Sequence, residues 1–248
     1  MYTPRFYRKM MGERYRSFTY KYLETDIWVA FDRDTDINVE SVENFVSDKC
    51  HSLRLIIDDY INSNPDFQTS YTPIKISNDM PIFIKRLSES SQITEVGPMA
   101  GIAGLFSEEI GRSCKQHFGF NEIIVENGGD NYIDVKHSVT VNVFAGDHPL
   151  SNKIVLQVEA KHCPMGICAS SGKFGHSKSF GSADLVTVAC KDTVLADQYA
   201  TALANKINKA DDIENVLKIV DNIPEILHLS VFKDGAFGIR GKLKVKTL

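Results

Sequence analysis

The chain has 248 residues, of which 43% are apolar and 24% are charged, and its formal net charge is −4. This composition is that of a soluble globular protein large enough to bury a full core, and it does not favour nucleic acid as a partner. The apolar runs are far shorter than the roughly 20 residues of a membrane span, and the basic first residues lack the apolar core of a secretory signal. Five scattered cysteines fit reduced thiols, so we expect a cytoplasmic protein.

The first predicted elements are a β-hairpin and a long helix. Aromatic and β-branched residues fill two runs, 15–22 and 25–31, that are separated by two residues. Asn38 is placed to cap a helix over 39–62 with apolar residues at helical spacing, and Pro65 ends that helix.

A short strand and two more helices are predicted before the middle of the chain. The strand covers 74–77, and a helix over 80–90 has Asp79 as its cap. The next helix starts at Pro98 and is stopped by Gly119. The first turns of this helix carry unusually small side chains. Because glycine inside a helix costs up to about 1 kcal/mol relative to alanine, these turns indicate either tight packing of another element or the approach of a ligand. The small residues are Gly97, Ala100, Gly101 and Gly104.

The rest of the chain is predicted to be mostly strands, with two helices over 193–207 and 210–220. Strands are expected at 121–125, 132–135, 139–145, 153–160, 183–189, 226–233 and 238–245. Strands and helices are grouped rather than strictly alternating, which favours an α+β fold with antiparallel sheets and flanking helices. We expect one domain over 1–248. Recurring strand–helix–strand units allow an internal pseudo-duplication, although residue identity does not support one.

The first candidate site is the bend at the end of the strand over 121–125. Gly128 and Gly129 let the backbone adopt positive φ and approach a ligand closely. Asn127 and Asp130 bring an amide and a carboxylate to the same bend. An ordinary hairpin turn is the alternative interpretation.

The second candidate site is a glycine-rich stretch, 166–182, which we interpret as a loop. Small residues with consecutive N–H groups, Ser170, Ser171 and Gly172, can form an anion-binding concavity. His176 follows them and is able to exchange a proton near neutral pH. The alternative is a surface loop without function.

The third candidate site lies on the helix over 193–207. Asp197 and Thr201 are four residues apart and therefore share one face of the helix. A carboxylate and a hydroxyl suit a hard cation such as Mg²⁺, which often bridges to a phosphate. Two residues need further ligands from elsewhere, and the alternative is that Asp197 is only an acid in the first turn of the helix.

The cysteines suggest a fourth type of chemistry. Cys168 opens the predicted loop, where exposed N–H dipoles would lower the pKa of its thiol and favour the thiolate. The Cys50-His51 and His162-Cys163 pairs are weak metal signals because no second pair has a matching spacing. Inert packing is the alternative for each of them.

Three stretches together resemble a known family. They are GPMAGIAG at 97–104, IIVENGGDNYI at 123–133, and the run from GICASSGKFGHSKSFG to ATALANKI at 166–207. They are similar to an uncharacterised prokaryotic family of the ApbE-like superfamily, which is distantly similar to ApbE flavin transferases. Those enzymes move FMN from FAD onto a protein threonine with Mg²⁺.

The resemblance implies an ApbE-like fold, a flavin or other phosphate-containing ligand, and Mg²⁺. The transferases' glycine-rich bend before an acid resembles 128–130, and their serine-glycine loop resembles 170–172. Their metal-binding Asp and Thr resemble Asp197 and Thr201, and the histidine after the loop corresponds to His176. The transferases continue with H-x-x-D-P-x-T-G, whereas this chain has HSKSFG at 176–181.

Three functional hypotheses follow. Relatives of the family in anaerobes are associated with sulfide assimilation into homocysteine, which implies a persulfide-forming cysteine, Cys168 or Cys50, and an iron–sulfur protein as partner. The first alternative is a Mg²⁺-dependent flavin- or nucleotide-binding enzyme similar to a transferase. The second is a non-catalytic binding or assembly module. The apolar strands favour a homodimer.

Overall fold

The structure is a computed structural model, and it describes residues 14–172 and 180–248. The strands in these ranges are β1 Tyr15–Tyr22, β2 Thr25–Asp32, β3 Ile123–Asn127, β4 Asp130–Asp134, β5 Val139–Asn142, β6 Ile154–Val158, β7 Met165–Ser170, β8 Leu185–Cys190, β9 Ile226–Lys233, β10 Ala236–Gly241 and β11 Lys244–Thr247. The helices are α1 Val39–Ser63, α2 Asp66–Thr69, α3 Ile82–Thr94, α4 Ile102–Phe118, α5 Thr193–Ala204 and α6 Asp212–Val220.

The described strands form two antiparallel sheets. The larger sheet has eight strands in the order β1-β2-β3-β4-β7-β8-β9-β10, and the smaller has three in the order β11-β6-β5. Every strand pair in them is antiparallel, and helices flank the larger sheet. The α+β architecture expected from the grouping of strands and helices is therefore confirmed.

The larger sheet is buried on both faces. On β2, Val29 and Phe31 pack into a core with α1, α3 and α4, whereas Trp28 and Ala30 pack against the smaller sheet. Because successive side chains of a strand point to opposite faces of the sheet, β2 contributes residues to both cores. A third core lies between β7–β9 and the pair α5 and α6. None of the helices in the described ranges is long and apolar enough to cross a bilayer.

The predicted turns, caps and helix ends in the first half of the chain are largely confirmed. The opening hairpin turns at Leu23, which has a φ of 52°. The side chain of Asn38 accepts a hydrogen bond from the backbone N–H of Glu40 at 3.1 Å and so caps α1. A 3₁₀ turn begins at Pro98 and leads into α4, and Gly119 ends α4 with a φ of 72°.

Several predicted elements are wrong. Residues 74–77 form a loop rather than a strand, and Asp79 does not cap α3, which follows Pro81. Instead, Asp79 accepts a hydrogen bond from the Ser77 hydroxyl within the preceding loop. The run over 238–245 is divided between β10 and β11, which belong to different sheets. Residues 166–170 lie in strand β7 and not in a loop, and this changes the environment of the candidate site.

Candidate functional site

Helix α5 and strand β7 lie side by side and carry four of the candidate residues: Cys168, Ser170, Asp197 and Thr201. Asp192 caps α5 by accepting a hydrogen bond from the N–H of Leu195 at 2.9 Å. Gly166 on β7 leaves so little room that an added Cβ would be 2.6 Å from the Cα of Thr193. From this contact, a step of two residues along a strand covers about 6.8 Å, and a step of four residues along a helix covers about 6 Å. Cys168 and Ser170 on β7 therefore run alongside Asp197 and Thr201 on α5.

Asp197 is buried, with 7% of its surface exposed. Its Oδ2 accepts a hydrogen bond from the backbone N–H of Gly104 at 2.8 Å. The first N–H groups of a helix have no partner within the helix, so Asp197 supplies one for the start of α4. It is the fifth residue of α5 and not an acid of its first turn. Its position is thus explained by a contact between two helices.

The β3–β4 hairpin brings a second carboxylate to the same place. Gly128 and Gly129 have φ angles of 72° and 111°. The predicted positive φ at these two glycines is therefore confirmed. The Glu126 carboxylate accepts a hydrogen bond from the N–H of Gly129 at 2.7 Å and closes the turn. Asp130 is also buried, and its Oδ1 accepts from the N–H of Ala169 on β7 at 3.2 Å.

The hairpin also contacts the start of α4. Asn127 donates a side-chain hydrogen bond to the carbonyl of Ala103 at 3.3 Å. The site is therefore enclosed by three segments that are far apart in the sequence: the hairpin tip, the first turn of α4, and the β7–α5 pair.

The electrostatics show that Asp130 and Asp197 are close to each other. Burial, followed by the negative charge of Asp130, raises the pKa of Asp197 well above its ordinary value, while N–H groups of Gly104 and Ala103 partly oppose this shift. Two neighbouring buried carboxylates favour a shared proton or a bound cation.

Two hydroxyls complete the polar part of the site. Ser170 is on the same face of β7 as Cys168, and its buried Oγ has no hydrogen-bond partner among the described residues. Thr201 is buried one helical turn beyond Asp197. A buried hydroxyl without a partner costs free energy, and a ligand oxygen beside Ser170 would remove that cost.

The donor set fits a hard cation only with help from other oxygens. Within 14–172 and 180–248, no three His, Cys, Asp or Glu side chains are grouped so as to hold a metal. Asp197 and Thr201 would therefore need backbone carbonyls, water or ligand phosphate as further ligands, which is the usual situation for Mg²⁺. The predicted metal role of the two residues stays a prediction.

The predicted environment of Cys168 is wrong. The residue is fully buried in the middle of β7, and its thiol lies 3.5 Å from the carbonyl oxygen of Thr193. Burial, then Asp130, then Asp197 raise the pKa of this thiol well above its ordinary value, so no thiolate is favoured. Nearby carboxylates and an apolar core replace the exposed N–H dipoles that were expected.

Cys50 lies on α1, in a different core, and burial raises its pKa to about 12. His176, the predicted proton donor, lies outside the described residues. Of the predicted loop residues, Gly172 donates its N–H to the carbonyl of Ala183 at 3.0 Å, next to Ser170 and Ser171.

Two residues that support the site have no functional signature in the sequence. Glu108 on α4 accepts a hydrogen bond from the N–H of Thr193, the first residue of α5, at 2.9 Å. Gln198 is fully buried and donates to the carbonyls of Leu87 and Pro98 at 3.1 and 3.2 Å. Only the spacing of Glu108 and Arg112, four residues apart on a helix, is visible in the sequence as a potential ion pair.

A family model described as AbpE bacteria matches residues 8–218. Among curated proteins, a UPF0280 protein from Methanococcus aeolicus is 37% identical over 227 residues, which cover 90% of this chain and 86% of that protein. A UPF0280 protein from Methanobrevibacter smithii is 35% identical, with coverage of 84% and 88%.

Solved structures with a similar fold include two ApbE proteins. The apo form of the flavinyl transferase ApbE from Pseudomonas stutzeri matches with a TM-score of 0.60 at 15% identity, covering 93% of this chain and 95% of that one. The apbe protein from Thermotoga maritima matches with a TM-score of 0.59 at 12% identity, covering 92% and 97%. At such identities the likeness concerns the fold alone.

Proposed function

From the premise that this chain belongs to the family described as AbpE bacteria, we propose that it is a Mg²⁺-dependent enzyme that binds the phosphate-bearing part of a flavin or nucleotide and transfers a group from it. Asp197 and Thr201 hold the cation beside Asp130, and Ser170 contacts a ligand oxygen. The similarity of the fold to flavin transferases supports the reaction class.

The observation that carries the proposal is the pair of buried carboxylates. Asp130 and Asp197 are each 7% exposed and come from β4 and α5, and the charge of one raises the pKa of the other. Keeping both ionised in a buried place is unfavourable unless a positive charge lies between or beside them. A divalent cation supplies that charge and, when bound, offsets the charge of phosphate oxygens.

The chain's own residues orient the ligand in this proposal. The N–H of Gly104 keeps the Asp197 carboxylate in place, and the N–H of Ala169 does the same for Asp130. The hydroxyl of Ser170 is available to a ligand oxygen. The positive φ angles of Gly128 and Gly129 form the tight turn that leads directly into Asp130.

Calorimetric titration with FAD, FMN and ADP, with and without Mg²⁺, tests the proposal. We expect Mg²⁺-dependent binding of at least one of them, and at least a tenfold loss of that binding in Asp197→Asn. An asparagine keeps an acceptor for the Gly104 N–H but lacks the charge, so the variant separates cation binding from helix capping. Asp211→Asn, at an exposed carboxylate, is the matched control.

Two outcomes would contradict the proposal. One is the absence of binding of all three ligands with Mg²⁺ present, and the other is equal binding by wild type and Asp197→Asn.

Sulfide assimilation through a persulfide on Cys168 or Cys50, with an iron–sulfur partner, stays a prediction that no contact of the described residues favours. Both thiols are fully buried and have raised pKa values, whereas persulfide formation needs an accessible thiolate. Mass spectrometry of protein purified without oxygen tests it, because a persulfide adds the mass of one sulfur atom to a single cysteine peptide.

A further inference from the structure

Four exposed lysines surround the connection between β6 and β7. This connection contains the 3₁₀ turn Ala160–His162. Lys161 lies in the turn and Lys191 follows β8, whereas Lys242 precedes β11 and Lys244 is its first residue. Because they come from three separate segments, only the fold brings them together. We call these four residues the lysine surface.

The lysine surface is positively charged although the chain as a whole is not. The net charge of the chain is −4, yet four lysines lie here around Glu159, with Asp192 and Glu225 on the Lys191 side only. The effect on His162 shows that the lysines are close to one another. Partial burial and then the positive charges of Lys161, Lys191 and Lys242 lower the pKa of His162, whereas the negative charge of Glu159 raises it. The local imbalance is therefore a property of the folded chain.

Hydrogen bonds hold three of the four ammonium groups in place, those of Lys161, Lys191 and Lys244. Glu159 accepts from Lys161 at 2.7 Å and from Lys244 at 2.6 Å, and Lys191 donates to the carbonyl of His162 at 2.6 Å. Lys161 and Lys244 nevertheless remain 66% exposed. A partner would thus meet cations whose positions are already restricted, which lowers the entropy that binding must overcome.

We propose that the lysine surface is a docking site for an acidic polypeptide segment of a partner protein. Lysine ammonium groups act as point charges, and the surface contains neither the arginine forks that favour phosphate nor the aromatic rings on which bases stack. The exposed ammonium groups are complementary in charge to the carboxylates of such a segment. Asp192 and Glu225 line the neighbouring groove together with Lys191 and limit the surface on that side.

The lysine surface and the candidate site lie at opposite ends of strand β7. β7 starts at Met165, close to the lysine surface, and ends at Ser170, within the candidate site. At about 3.4 Å per residue, the strand separates them by about 17 Å. A docked partner therefore leaves the candidate site open.

Fluorescence anisotropy of a fluorescein-labelled, glutamate-rich peptide at low ionic strength tests the proposal. We expect binding that weakens steeply with salt, and at least a tenfold loss when Lys161, Lys242 and Lys244 are all changed to Gln. The matched control changes Lys85, Lys209 and Lys218 to Gln; each of these is exposed and lies beside an acid. Thermal melting of both variants verifies that they fold.

Three results would overturn the proposal. The first is no salt-dependent binding of the peptide by wild type, and the second is an equal loss of binding in the control variant. The third is binding of a single-stranded oligonucleotide of equal charge at least as tightly as the peptide, which would assign the surface to nucleic acid.

Discussion

Asp197 combines a structural contact with an electrostatic cost. Its Oδ2 caps the start of α4 through Gly104, while burial and Asp130 raise the pKa of its carboxyl. Both effects favour the protonated carboxyl more in the folded protein than in the unfolded chain. The contribution of Asp197 to folding stability is therefore present below the unfolded pKa of about 4 and is lost as the pH rises through the folded value.

The loss of stability with rising pH leads to a prediction for the metal-free protein. Asp197→Asn keeps an acceptor for Gly104 and removes the buried charge, so we expect it to be more stable than wild type at pH 8. The difference should shrink at pH 5, where the carboxyl of the wild type retains more of its proton. Urea unfolding at both pH values measures it, and a variant that is less stable at pH 8 would contradict the electrostatic account.

The five cysteines differ in accessibility, and this predicts which of them reacts. Cys163 is half-buried, whereas the others are buried: Cys50, Cys114, Cys168 and Cys190. Burial raises the pKa of each of the buried thiols. Iodoacetamide should therefore label Cys163 first in the native protein at pH 8, and peptide mass spectrometry would show it. Rapid native labelling of Cys168 would contradict this burial and revive the thiol hypothesis.

At the scale of elements, the slim start of α4 is explained by its contact with α5. A Cβ added to Gly104 would be 2.6 Å from the carbonyl oxygen of Thr193, and one added to Gly101 would be 2.9 Å from side-chain atoms of Val194 and Gln198. Close helix packing, one of the two explanations considered for these glycines, accounts for both.

Gly104→Ala should therefore separate α4 from α5. We expect a loss of about 1–3 kcal/mol in the free energy of unfolding, and a weaker Mg²⁺-dependent binding because Asp197 moves with α5. Chemical unfolding and ligand titration measure the two effects. Ser113→Ala, at a half-buried position of the same helix, should have little effect on either.

An ion network centred on the buried carboxylate of Glu108 holds the beginning of α5. Arg86 on α3 contacts Glu108 on α4 and Asp192, the cap of α5, each at 2.9 Å, and Arg112 contacts Glu108 at 2.7 Å. The side chain of Glu108 is 2% exposed. Its carboxylate thus joins three helices around the site.

Removing the charge of Glu108 takes the buried partner from Arg112 and one acidic partner from Arg86, which keeps Glu109 and Asp192. For Glu108→Gln we expect a loss of about 3 kcal/mol in the free energy of unfolding, measured by denaturant titration. Glu214→Gln removes an exposed partner of Lys218 and should cost far less. Equal losses in the two variants would show that the network does not stabilise the fold.

At the scale of the whole molecule, burial makes stability sensitive to acid. His228 is fully buried on β9, where burial lowers its pKa from 6.5 to about 4. Its Nε2 pairs with the Ser230 hydroxyl at 2.7 Å, and its Nδ1 has no hydrogen-bond partner in the described ranges. Burial therefore favours the neutral imidazole of His228 in the folded protein.

The unfolded chain takes up the proton near pH 6.5 and the folded chain only near pH 4. Stability is therefore lost as the pH falls between these values, by up to about 3 kcal/mol from this residue. Unfolding curves between pH 7 and 4 should be less steeply pH-dependent in His228→Leu than in wild type. Equal pH dependence of unfolding in the two proteins would contradict this account of His228.

Local patterns predicted much of the fold. The opening hairpin, the Asn38 cap and the Pro98–Gly119 limits depend on contacts between near neighbours, so sequence was sufficient for them. Strand β7 was missed because small residues such as Gly166 resemble a loop. The structure shows that they are small because α5 packs closely against them, and a contact with a distant segment leaves no local periodicity.

The sequence alone determined the α+β class, the family resemblance, and the pairing of Asp197 with Thr201, because composition, motif and helical spacing are written along the chain. The tertiary structure alone decided that Asp130 faces Asp197, that Cys168 is buried beside them, and that four lysines converge elsewhere. The physical reason is that burial and electrostatic neighbours depend on segments many residues apart, and these set the pKa and accessibility on which chemistry depends.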